Sequence, residues 1–146
     1  MVRIYADTSF FFSLYATDSN SPRADAWRHA NPHPLPFTAF HRVELRNALS
    51  LAVFQKRLTP QEVQTAWQEV QNDLATGILV PRVGLWHRIL RAAESLAEYQ
   101  TPAVGSRSLD IIHVAAASVL GITEFCTFDT RQSDLARRVG LTPSAL

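Results

Sequence analysis

Val2-Arg3-Ile4-Tyr5-Ala6-Asp7-Thr8-Ser9 is the stretch from which the rest of the chain is best read. Its first five residues form a short β-type run, and the run delivers an acid followed by two hydroxyls. In an open parallel sheet ligands bind at the carboxyl ends of the strands, and the residues just beyond sit at the amino end of the next helix. An acid beside two hydroxyls at that place points to a cation or phosphate site rather than to packing. The functional question is which distant residues meet Asp7.

Working outward, Phe10, Phe11, Phe12 and Leu14 make Thr8 to Tyr15 a short buried helix. Ser21-Pro22 reads as an N-cap with proline at the first helical position, opening a helix that ends near Asn31-Pro32. His33-Pro34-Leu35-Pro36 leads into a brief second strand, Leu35 to Thr38. From Ala39 to about Gln55, residues Val43, Leu45, Ala48, Leu49, Ala52 and Val53 recur with helical period. Thr59-Pro60-Gln61-Glu62 is a capping box that starts a further helix running to about Thr76. Ile78-Leu79-Val80 is the expected third strand, Leu85 to Tyr99 a helix, and Thr101 to Ser106 a loop. Ser108 is placed to cap a helix from Leu109 to Leu120, apolar nearly all round and closed by Gly121. Glu124 to Phe128 is the fourth strand, Thr130 to Val139 a polar-faced helix, and Leu141 to Leu146 an optional edge strand, since Pro143 argues against a central one.

Strands separated by helices of ten or more residues require crossover connections. The expected fold is therefore α/β: a three-layer α/β/α sandwich around a central, mainly parallel sheet of four or five strands. A chain of 146 residues suits one domain, 1–146, with the helix pair at about 39–76 as an arm. No apolar run reaches the roughly 18 residues of a membrane span and no charged-then-apolar leader is visible, so a soluble cytoplasmic protein without membrane contact is expected. Cys126 is the sole cysteine, which excludes an internal disulfide and a thiolate zinc site. Net charge is +1, yet of the fourteen basic residues only Lys56 is a lysine. Arginine suits bidentate contacts to phosphate, although genomic base composition explains the same bias.

Four acids stand apart because apolar residues surround them: Asp7 after the first strand, Glu44 early in the helix after the second, Asp110 in the first turn of the most apolar helix, and Asp129 after the fourth strand. In a parallel sheet all four can meet at one edge. Each also has a plain structural reading. Asp129 can be an N-cap, Asp110 can favour a helix dipole, and Glu44 can pair with Arg42 or Arg46. Carboxylates about 5 Å apart repel by roughly 3 kcal/mol per pair at an effective dielectric near 20, so converging acids would take up protons unless a cation sat among them. Oxygen donors without thiolate favour Mg²⁺ or Mn²⁺ over zinc.

Asp7-Thr8-Ser9, Glu44, Leu109-Asp110-Ile111-Ile112-His113-Val114-Ala115 and Thr127-Phe128-Asp129-Thr130-Arg131-Gln132, in this order, resemble the PIN-domain ribonucleases, and among them the VapC-type toxins of bacterial toxin–antitoxin pairs. The resemblance spans essentially the whole chain. It implies that Asp7, Glu44, Asp110 and Asp129 hold one or two Mg²⁺ or Mn²⁺ ions for endonucleolytic cleavage of RNA, and that the Ser9 hydroxyl supports the site. It further implies a homodimer, a VapB-like antitoxin that inserts a helix or tail along the helical arm, and structured targets such as tRNA or ribosomal RNA. The chain departs from the pattern at Pro143, in the last strand, and at Asp134, a fifth acid near Asp129.

Other readings fit less well. A haloacid-dehalogenase-like hydrolase wants a second Asp where Ser9 stands, a receiver domain wants a lysine after its last strand, and no glycine-rich phosphate loop is present. The alternative from another class is a non-catalytic RNA- or protein-binding scaffold of the same fold. His113, three residues from Asp110, reads first as a satisfied core histidine. His29 and His33 have metal-pair spacing that Pro32 and Pro34 spoil. Trp27, Trp67 and Trp86 read as core or interface, and Arg107 and Arg131 either brace the acids or grip phosphate.

Overall fold

The computed structural model describes residues 3–146, so the expected start of the first strand at Val2 lies outside the described residues. Among the described residues five strands are connected by seven helices: β1 (Ile4–Ala6), α1 (Thr8–Tyr15), α2 (Ser21–Ala30), β2 (Leu35–Thr38), α3 (Ala39–Phe54), α4 (Pro60–Thr76), β3 (Leu79–Arg82), α5 (Trp86–Val104), α6 (Ser108–Val119), β4 (Glu124–Cys126), α7 (Thr130–Arg138) and β5 (Thr142–Pro143). Every strand pair is parallel: β1 with β4, β4 with β5, and β2 with β3. Side-chain alternation divides the core in two. Ile4, Ala6 and Cys126 face a cluster built from α1 to α4, while Tyr5 and Phe125 face one built from α5, α6 and α7. The α/β/α sandwich read from the sequence is therefore present, with helices on both faces.

The strands form two ladders, β1-β4-β5 and β2-β3, although β1 and β2 lie side by side. Pro36 explains the gap. Leu35 donates its N–H towards β3, so by alternation the next residue turns its backbone towards β1, and proline has no N–H to offer there. His41 fills the gap instead: its buried Nδ1 accepts from the Thr38 N–H at 2.9 Å, and its Nε2 lies 2.8 Å from the Ala6 carbonyl. The ring must be neutral to accept and donate in this way, and burial, with the His113 charge next, holds its pKa well below the usual histidine value.

Five local expectations are corrected. The expected loop at Thr101 to Ser106 is largely helix, because α5 continues through Pro102 and stops only where Gly105 turns left-handed at φ 70°. Ser21 and Ser108 are first helical residues rather than caps. The Ser21 hydroxyl donates to the Ala16 carbonyl, and the Arg107 N–H is taken by Asp110. The third strand is displaced to Leu79–Arg82 because its partner is fixed by the Leu35↔Leu79 register. The fourth ends at Cys126, since Thr127 turns its hydroxyl inward to Asp7.

Replacing His41 by Ala orphans the Ala6 carbonyl and the Thr38 N–H and leaves a void, at a cost of about 2–4 kcal/mol. Urea unfolding at pH 7.5 measures it. Because the folded pKa of His41 is depressed, its contribution is present above the unfolded value of about 6.5 and lost as pH falls below it. The stability difference between wild type and His41→Ala should accordingly narrow on acidification.

Candidate active site

The β1–α1–α2 connection leads to β2 on one face of the sheet, whereas α5 and α6 lead to β4 on the other. The carboxyl ends of β1 and β4 thus flank a crevice of the kind that holds ligands in open α/β sheets. A cavity of about 390 Å³ opens there. Its wall includes Thr8, Ser9, Glu44, Asp110, Asp129 and Gln132.

Asp7 lies beneath this wall, fully buried. It caps α1 by accepting from the Phe10 N–H at 3.0 Å, and its carboxylate also receives the Ser9 hydroxyl at 2.7 Å and the Thr127 hydroxyl at 2.5 Å. Burial pushes the Asp7 pKa up, and these three donors, with the charge of His113, oppose it without cancelling it. Ser9 and Thr127 each have a second duty: Ser9 accepts from the Phe128 N–H and Thr127 from the Asp129 N–H. The two hydroxyls stitch the exit of β1 to the exit of β4.

Glu44 reaches the cavity from the second turn of α3 and is partly exposed, at 24 %. Burial pushes its pKa up, but the hydrogen bond and charge of His113 and the Thr8 hydroxyl outweigh burial and hold it below the ordinary value. His113 is wholly buried in α6. Its Nε2 lies 2.9 Å from the Glu44 carboxylate and its Nδ1 2.8 Å from the Tyr5 hydroxyl. It is the buried, satisfied histidine expected, and it also connects α6 to a site acid across the crevice.

Asp110 closes the first turn of α6 by accepting from the Arg107 N–H and receives the Gln132 side-chain amide at 3.0 Å. Burial raises its pKa, the Arg107 N–H opposes, and the charges of Asp129 and Glu44 raise it further. Asp129 caps α7, accepting on one oxygen from the Arg131 and Gln132 N–H groups. Gln132 therefore bridges two acids, by backbone to one and by side chain to the other. Asp134 stands elsewhere, 62 % exposed and paired with Arg137 at 3.1 Å.

Three acids thus share a wall with Ser9 over the buried Asp7, and Asp110 feels two of the others. Their donors are oxygens without thiolate, the set that suits Mg²⁺ or Mn²⁺. Among the described residues, no three His, Cys, Asp or Glu side chains are drawn close enough to grip one ion together. Thr127, Gln132 and the His113 link to Glu44 were not singled out from the sequence. Thr127 stands two residues before Asp129 and Gln132 three after, spacings that place them near that acid.

A family model, "PIN domain", matches residues 4–138. The chain belongs to the PIN-domain family. This family generally acts on nucleic acid. None of the curated proteins matches it. Among solved structures the PIN fold here is similar to VapC20 of Mycobacterium tuberculosis, described as a sarcin-ricin loop cleaving toxin, with a TM-score of 0.68 at 16 % identity over 94 % of this chain and 96 % of that one. FitAcB from Neisseria gonorrhoeae gives 0.63 at 16 % identity over 97 % and 96 %. PAE2754 from Pyrobaculum aerophilum gives 0.60 at 18 % over 97 % and 83 %. At these identities the likeness is one of fold. No described helix is long and apolar enough to cross a membrane.

The raised Asp7 and Asp110 carboxyls favour folding while protonated and lose that contribution as pH rises through their folded pKa values; the lowered Glu44 behaves oppositely. In metal-free buffer, Asp110→Asn should therefore melt at higher temperature than wild type near pH 7, with the gap closing towards pH 4. Paired thermal melts across that range check the sign.

Proposed function

We propose that this PIN domain is a metal-dependent endoribonuclease that hydrolyses phosphodiester bonds in RNA, acting as the VapC-type toxin of a toxin–antitoxin pair. The observation that carries the reading is the shared cavity wall of Glu44, Asp110 and Asp129 above the buried Asp7, at the crevice between β1 and β4. Asp7, Glu44, Asp110 and Asp129 would hold Mg²⁺ or Mn²⁺, which supplies the positive charge the acids lack and activates water for attack on phosphorus. The protein's own part is to hold the carboxylates ready. His113 and Thr8 keep Glu44 ionised, Ser9 and Thr127 hold Asp7, and Gln132 sets Asp110 beside Asp129.

The same proposal covers partners. A groove of about 570 Å³ runs between α3 and α4, where Arg46 lies over the Trp67 ring at 5.1 Å and Arg42 at 5.4 Å. Val43 and Phe54 on α3 are 72 % and 83 % exposed. A VapB-like antitoxin with an amphipathic, acidic segment suits this surface, and we place the protein in the cytoplasm as a homodimer acting on tRNA or ribosomal RNA. The competing reading, a non-catalytic RNA- or protein-binding scaffold, is favoured by one observation: the acids are not gathered around a single point.

Labelled RNA incubated with Mn²⁺, with EDTA and with Asp7→Asn decides between them. Cleavage should need the metal and fall in Asp7→Asn by more than the roughly 10–100-fold typical of an outer partner of a metal site. Cutting that persists in EDTA refutes the metal mechanism, and RNA binding without cutting in either metal supports the scaffold. Saturating Mn²⁺ should raise the wild-type melting temperature, by linkage, and leave Asp110→Asn unmoved.

A further inference from the structure

Among the described residues lining the acid cavity there is one cation, Arg57. It sits just past the end of α3 in a tight helix stop: the Lys56 N–H bonds the Val53 carbonyl at 2.9 Å and the Arg57 N–H the Ala52 carbonyl at 2.8 Å. This is the Schellman arrangement, with Lys56 in the left-handed position, φ 57°, that usually falls to glycine. The turn delivers the Arg57 guanidinium over the Phe12 ring at 5.7 Å, and its Nε donates to the Gln55 side-chain oxygen at 2.9 Å. The group is thus oriented through its stem edge, and its two terminal nitrogens have no hydrogen-bond partner among the described residues.

A second guanidinium is held by the same two devices. Arg23 lies over the Phe128 ring at 5.0 Å, and its Nη2 donates to the Asn20 side-chain oxygen at 2.6 Å. Asn20 lines the cavity, and Phe128 immediately precedes Asp129. Both arginines are exposed. The ion pairs among the described residues are His113 with Glu44 and Arg137 with Asp134, so neither arginine is spent on a carboxylate. Stacking on a ring and a single amide bond fix a guanidinium plane at little entropic cost while leaving donors for an incoming anion. A surface arginine serving only solubility needs neither.

We propose that Arg57 and Arg23 are phosphate clamps that seat the backbone of an RNA strand across the acid cavity. This rests on the nuclease reading for its substrate class and adds the subsite. An anionic polymer approaching a wall of carboxylates is repelled, and paired guanidiniums at the rim counter that repulsion where the strand must cross. Contacts of this kind go to phosphate, so recognition here is of backbone rather than of sequence.

The test is fluorescence anisotropy of a labelled single-stranded RNA with full-length protein in EDTA, where cleavage does not compete, over a series of salt concentrations. Each phosphate contact contributes about 0.7 to the slope of log K against log salt for single strands. Arg57→Ala and Arg23→Ala should each lower the slope by about that much and weaken binding several-fold, and the double variant by about twice the slope. Arg57→Lys should keep the slope yet lose affinity, because charge survives and the bidentate fork does not. Folded variants with wild-type slope and affinity overturn the clamp. If the same variants lose an acidic peptide instead of RNA, the surface is a protein site and the clamp is again overturned. Wild type that cleaves RNA while the variants bind normally sinks the clamp alone; wild type with the expected slopes that never cuts in Mg²⁺ or Mn²⁺ sinks the nuclease reading alone.

Discussion

The buried carboxylate of Asp7 is the constraint on which the rest of this structure depends. An ionisable group fully removed from water costs several kcal/mol unless donors surround it. Three are supplied here, and they come from both sides of the β1–β4 ladder: the Phe10 N–H and Ser9 hydroxyl from the start of α1, and the Thr127 hydroxyl from the end of β4. The Asp7 N–H bonds the Cys126 carbonyl as well. A slip of one residue between these strands would turn Thr127 away and leave the acid short of a donor. The register Ala6↔Cys126 is thus fixed by a polar group at the strand ends as much as by the apolar faces between them.

Helix geometry then gathers the remaining charge. Asp7, Asp110 and Asp129 stand at the starts of α1, α6 and α7, where unpaired N–H groups and the helix dipole favour an anion, typically by 0.3–1 kcal/mol each. That is smaller than the roughly 3 kcal/mol between two close carboxylates at moderate dielectric. The imbalance shows in Asp110, raised by burial and then by the charges of Asp129 and Glu44. Glu44 escapes it because His113, helped by the Thr8 hydroxyl, stands against it. Helix starts bring acids together without neutralising them, which is the condition in which a divalent cation would find use.

Much of the fold was legible because its signals are local. The capping box Thr59–Glu62, the phenylalanine run of α1 and the glycines at 77 and 121 each act within a few residues. The break between β1 and β2 was not legible, since it needs Pro36 to face β1 and His41 to bridge to Ala6, and both depend on strand placement. The extension of α5 through Pro102 escaped for a related reason. Pro102 forfeits the N–H that would bond the Glu98 carbonyl, and the packing of α5 against α6 outweighs that loss. At the site, the acids stood out because apolar neighbours make a carboxylate conspicuous, whereas the partners that tune them did not. The contact of His113 with Glu44 spans 69 residues and exists only once α3 and α6 meet the sheet edge.

Capping and chemistry are not rival explanations for Asp110 and Asp129. A carboxylate has two oxygens, and Asp129 takes both backbone donors of α7 on Oδ1. The Arg107 N–H and the Gln132 amide likewise hold Asp110 from opposite ends, fixing its plane. A side chain that caps a helix has surrendered its rotational freedom already, so a ligand meeting it need not order it again. Asp134, exposed and paired with Arg137 at the surface, has no such restraint from the helix start. The residues that terminate the helices are therefore those best prepared to hold something else, and the structural role read for each acid from sequence is the means by which it is presented to the cavity.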